Sequence, residues 1–166
     1  MLRHEVDGAI GFDSTIAFKL RQGGAAPEAI DITYYADGGL DLSSNGLVVS
    51  RRFLSAHHDR IAGLVRACAL GWRDALAAPE AMLDALAEAA PGVDRMREAQ
   101  RFDWLRQRQI LTSAVRRHGL GLVDPHRLER AIRAIRRAEP DARPLAAGQI
   151  WSPAFLPAKA DRVVRA

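Results

Sequence analysis

The spacing of apolar and polar positions changes character near residue 50. Before that point, apolar residues come in short runs separated by turn chemistry. Asp7 to Phe12 reads as a short buried strand. Asp13-Ser14-Thr15 follows as a helix start, with Asp13 or Ser14 placed to accept from the first free backbone amides. Ile16, Phe18 and Leu20 belong to that helix, which closes near Gly23-Gly24 with Pro27 beyond. Ile30 to Tyr35 is β-branched and aromatic, a second strand, and Asp37-Gly38-Gly39 breaks it. Gly46 to Ser50 is almost wholly apolar, the pattern of a third strand covered on both faces.

After Arg51 the period becomes helical. Ile61, Leu64, Val65, Cys68 and Trp72 form one apolar stripe. Ala78-Pro79 opens a helix that buries Met82, Leu83 and Leu86, and Pro91-Gly92 follows it. Asp94 is positioned to cap a helix carrying Met96, Phe102, Leu105 and Ile110. A short helical turn runs from Thr112 to a stop at Gly119. Asp124-Pro125 pairs an N-cap with proline at the first helical position, and Leu128, Ile132 and Ile135 give that helix an inner face. Pro140, Pro144, Pro153 and Pro157 mark an irregular tail anchored by Trp151 and Phe155. Three short strands are few for this much helix, since sheets commonly have about four to six. The pattern therefore predicts an incomplete α/β unit.

Composition narrows the class without fixing a function. With 166 residues, 48% hydrophobic and 27% charged, the chain suits a single globular core. The net charge of +4 is too small to imply nucleic acid. No stretch approaches the roughly 20 apolar residues of a membrane span, and no signal peptide is visible behind Met1-Leu2-Arg3-His4-Glu5. The lone Cys68 excludes an internal disulfide and a cysteine-rich metal site. His57 and His58 are adjacent on a helix and point about 100° apart, so they do not favour a shared ion. No cofactor and no metal are expected. The arginines at 127, 130, 133, 136 and 137 form a basic flank, read as a solvated face opposite Leu128, Ile132 and Ile135. No aromatic residue interleaves them, as a single-strand nucleic-acid surface would require.

Four stretches in order resemble a known family. They are Val6-Asp7-Gly8-Ala9-Ile10-Gly11-Phe12; Tyr35-Ala36-Asp37 leading to Asn45-Gly46-Leu47-Val48-Val49-Ser50; Ala69-Leu70-Gly71-Trp72-Arg73-Asp74-Ala75-Leu76 with Pro79-Glu80-Ala81; and Gly119-Leu120-Gly121-Leu122-Val123-Asp124 with Ile150-Trp151 and Phe155-Leu156-Pro157. The whole resembles the C-terminal half of a solute-binding protein of an ABC importer, in the branch with taurine, nitrate, sulfonate and thiamine-pyrimidine binders. The resemblance implies an incomplete two-lobed periplasmic-binding-protein-like (type II) α/β fold, helix-rich with a few parallel strands. Residues 1–45 would be a remnant of the second lobe, 46–157 the C-terminal part of the first lobe, and 158–166 a tail. It departs from the family where Gly38, Ser43 and Ser44 stand in a turn that relatives tend to line with aromatic residues.

The implied function is a non-catalytic substrate-binding component, shortened, that closes on a small solute and docks to an importer permease. The resemblance places it in the periplasm, whereas a chain expressed as given, without a signal peptide, would stay in the cytoplasm. Alternatives are a fragment of a thiamine-pyrimidine synthase-like enzyme, or an interaction module without ligand. An uncovered sheet edge would then pair with a second copy or with a separate N-terminal half. Candidate ligand-binding residues are Phe12, Asp13, Ser14 and Thr15 at a strand end, where open α/β sheets hold ligands and a helix N-terminus favours anions. Asp37 and Asn45 are candidates for the cleft between lobes. Capping explains Asp13 and Ser14 as directly as a ligand does, and turn formation explains Asp37 and Asn45 more directly.

Overall fold

Helix signals in the sequence translate directly into helices. The computed structural model describes residue 1, residues 5–42 and residues 45–164. α1 spans Asp13–Gln22, α2 Arg51–Ala56, α3 His58–Ala77, α4 Pro79–Ala89 and α5 Arg95–Leu105. They are followed by α6 (Ser113–His118), α7 (Pro125–Ala138), α8 (Ala147–Ile150) and α9 (Lys159–Arg162). Side chains that accept from orphan amides set several starts: Ser50 from Phe53, Asp94 from Arg97, Thr112 from Val115 and Asp124 from His126. Each such cap is worth about 1 kcal/mol. Pro79 and Pro125 sit in the first turns of α4 and α7, where the missing N–H costs nothing.

α3 is the hub of the packing. It touches α2, α4, α9 and the short 3₁₀ turn at Pro153–Phe155, while α4 meets α5 and α5 meets α1. Its buried positions are Ile61, Ala69 and Leu76. The expected stripe is rotated: Leu64 and Trp72 stay 50% and 43% exposed, and Cys68 is exposed rather than a core residue. The small side chain of Ala69 faces inward instead. Phe155 anchors the tail as expected, its ring 4.5 Å from that of His58.

The expected parallel strands do not form. Among the described residues no segment is paired into a sheet. The residues around Phe12 and from Asn45 to Ser50 are non-helical, and Phe12 and Ser50 have extended backbone. A strand exists only when a neighbour supplies its ladder, and among the described residues none pairs with these runs. Their apolar side chains face solvent instead: Ile10 is 85% exposed and Val48 92%. The helix-rich part of the fold expectation stands, and the sheet does not.

Exposure extends to the whole molecule. Its accessible surface is 12,352 Å², against about 8,100 Å² for a compact monomer of this mass. No large side chain among the described residues is completely buried. The helices thus share one thin layer of contacts rather than a deep core.

The C-terminal end is latched by a buried cation. Arg162 Nε donates to the Pro157 carbonyl at 2.9 Å, and Nη1 to the carbonyls of Leu120 and His118 at 2.8 and 3.2 Å. Gly119, the expected helix stop, has φ +81° and ψ 168°, a region essentially reserved for glycine. A Cβ there would stand 3.0 Å from the Cβ of Arg162. Arg162→Ala is expected to lower stability by about 2–4 kcal/mol through the orphaned carbonyls and the lost packing. Chemical denaturation measures this. An unchanged midpoint would show that the latch holds nothing.

Candidate functional site

The helix start at Asp13 is built differently from the expected cap. The N-cap is Phe12, whose carbonyl accepts from Thr15 and Ile16 at 3.0 and 2.9 Å. Asp13 is already inside α1, and its carboxylate accepts from the amide of Ser14 at 2.7 Å. That leaves the carboxylate free to gather donors from far along the chain. The Tyr34 hydroxyl and the Trp104 indole Nε1–H both donate to Oδ2 at 3.1 Å, and Gln109 Nε2 donates to Oδ1 at 2.7 Å.

Gln109 reaches Asp13 because α5 continues into a π-helical turn over Arg106–Ile110, closed by the Leu111 amide on the Arg106 carbonyl at 2.9 Å. Such turns recur at functional sites. The same turn carries Arg108, whose guanidinium lies 4.2 Å from the Trp104 ring centroid, and Arg21 of α1 lies 4.9 Å from it. Phe18 meets the ring edge-on at 5.6 Å. Beside this cluster opens a cavity of about 470 Å³, lined by Phe18 and Trp104 with Arg21, Gln22, Gln100, Gln107 and the carboxylate-bearing Asp103, which pairs with Arg106 at 2.9 Å. Its size lies within the usual range for small-ligand sites, about 300–1,000 Å³. Aromatic faces, amides, one guanidinium and one carboxylate together suit a small polar solute.

The expected site residues divide. Phe12, Asp13, Ser14 and Thr15 stand together at the start of α1, with Phe12 half exposed and Ser14 buried. Asp37 is exposed on the turn after Tyr34, its amide bonded to the Tyr34 carbonyl at 3.1 Å. Asn45 is exposed on the extended run. No side-chain hydrogen bond among the described residues joins Asp37 or Asn45 to Asp13. Ser43 and Ser44 lie outside the described residues. Sequence reasoning passed over Tyr34, Trp104 and Gln109. A usable signal existed for Trp104, because a part-buried indole needs an acceptor for its N–H.

Burial and the hydrogen bond to Asp13, together with the negative charge of Asp13, hold the Tyr34 hydroxyl above its ordinary pKa of 10.0, while Arg108 acts in the opposite direction. A raised folded-state value means that Tyr34 stabilises the fold fully below pH 10. That contribution is lost as pH rises through the folded-state value. Tyr34→Phe is therefore expected to remove part of the alkaline loss of stability seen in denaturation curves above pH 10. Asp13→Asn should bring tyrosinate formation to lower pH in an ultraviolet titration of the two tyrosines, Tyr34 and Tyr35. An unchanged titration in Asp13→Asn would show that the contact is not made in solution.

The family model described as NMT1/THI5 like matches residues 1–82, about half of the chain. Neither the curated proteins nor the solved structures contain a match to the chain.

Proposed function

From the premise that this chain belongs, through residues 1–82, to the NMT1/THI5-like family, we propose that it is a non-catalytic solute-binding element of an ABC-type importer. The family match carries this reading. The cavity beside Asp13 and Trp104 supports it, because it joins the family-matched α1 to α5. Phe18 and Trp104 supply an apolar wall, and Arg21 with the neighbouring amides supplies the polar groups that fix orientation. Phe12 to Thr15 stand at the start of the helix that carries Phe18 and Arg21 and reach the solute, on this reading, only with Asp37 and Asn45 once a second wall is present.

Residues 1–45 then act as second-lobe structure, and the chain returns through a hinge at Asn45-Gly46 into the first lobe. The exposed runs around Ile10 and Val48 would pair as strands in the presence of sheet neighbours. The family match supports a small-molecule ligand, and the reading extends this to a sulfonate, nitrate or thiamine-pyrimidine precursor, with a permease as partner and an extracytoplasmic location. No helix among the described residues is long and apolar enough to cross a membrane, which agrees with a component that docks to a permease rather than spanning with it.

Calorimetric titration with taurine, nitrate, an alkyl sulfonate and a hydroxymethylpyrimidine tests the proposal. Saturable binding of one of them is expected, weakened about tenfold or more by Trp104→Ala, a loss corresponding to about 1.4 kcal/mol. Binding that is indifferent to Trp104, or turnover of a pyrimidine precursor by the chain, would contradict it.

A further inference from the structure

Away from Asp13, α7 carries guanidinium groups that the fold leaves without carboxylates. Arg130, Arg133 and Arg137 stand at i, i+3 and i+7, on one side of the helix. With the turn Gly39-Leu40-Asp41 they line a cavity of about 260 Å³. The carboxylate in that wall is already engaged: Arg127 Nη2 donates to Asp41 Oδ1 at 2.6 Å and to the Leu42 carbonyl at 3.0 Å. The arginines around α5 are paired by contrast. Arg95 lies 2.7 Å from Glu80, and Arg97, Arg101 and Arg106 lie 3.4, 3.7 and 2.9 Å from carboxylates on α5 or its cap. Among the described residues, no carboxylate lies within ion-pair distance of Arg130, Arg133 or Arg137.

We propose that this cavity binds the phosphate group of a phosphate monoester, or inorganic phosphate itself. Like-charged neighbours at this spacing disfavour a helix, and a dianion seated among them removes that repulsion. Guanidinium forks match phosphate oxygens two at a time. Ala131 and Ala134, the other α7 residues of the lining, are short enough to leave room for the anion between the arginines. A volume just under the roughly 300 Å³ lower end for small-molecule sites fits one anionic head group rather than a nucleotide. The absence of an aromatic lining residue removes the platform on which a base would stack. The site uses a different cavity and different elements from the solute site, so either can fail alone.

Titration of the full chain with inorganic phosphate at constant ionic strength, followed by NMR, tests the proposal. Saturable shifts are expected at the Gly39 to Asp41 amides and the Arg130 and Arg133 side chains. Arg130→Gln with Arg133→Gln should weaken binding at least about tenfold, because charge-assisted hydrogen bonds are lost. Arg136→Gln, outside the cavity, should leave it unchanged, and circular dichroism checks the helix in each variant. Soluble glycerol phosphate and phosphatidic acid vesicles separate the two sources of a monoester: binding to the first identifies a soluble metabolite, and binding to vesicles alone identifies a lipid head group. No saturable shift with any of the three, or equal weakening by Arg136→Gln, would overturn the site.

Discussion

The Asp13 carboxylate holds the molecule's two halves together. It lies in the family-matched half, yet two of its donors, Trp104 and Gln109, come from 91 and 96 residues further along the chain. A charged acceptor with several donors forms stronger hydrogen bonds than a neutral one. Removing it would strand an indole N–H and an amide at the same time. This contact ties α1 to α5, which packs on α4, which in turn packs on α3. The same contact positions Trp104 beside the neighbouring cavity, which Phe18 also lines.

The counterpart of this thin layer is surface left uncovered. Leu47 and Val48 are 60% and 92% exposed, although their sequence is that of a strand buried on both faces. Burying apolar surface is the main driving term of folding, about 25 cal/mol per Å², so exposed runs of this kind favour any neighbour able to cover them. A sheet partner supplies both the ladder bonds and the cover. The residue pattern and the excess surface therefore agree that these runs are suited to a sheet neighbour.

How much of this was legible in the sequence depends on the range of the interaction. Local signals were read correctly: Asp94, Thr112 and Asp124-Pro125 start helices where their side chains and ring geometry demand it, and Gly119 ends one. Extended preference was also visible from Asn45 to Ser50, but preference is not pairing, and the ladder partner is a property of other residues. The α3 stripe was misjudged by rotation, since period alone does not tell which of two adjoining rows a close neighbour selects. The packed helix selects the row with the small Ala69, leaving Cys68 and Trp72 outside. The Asp13 cluster was half visible. Its acceptor stood out as a helix-start residue, while Tyr34, Trp104 and Gln109 are brought in by a tertiary fold and a π turn that no local pattern announces.

The central claim is that an Asp13-linked helical layer leaves the apolar runs at residues 8–11 and 46–49 unpaired. Native-state hydrogen exchange resolved by residue tests it most directly. The account predicts slow exchange within α1, α3 and α5, and unprotected amides at residues 8–11 and 46–49. Protection of the 46–49 amides equal to that of α3 would show a sheet already formed and would contradict the claim.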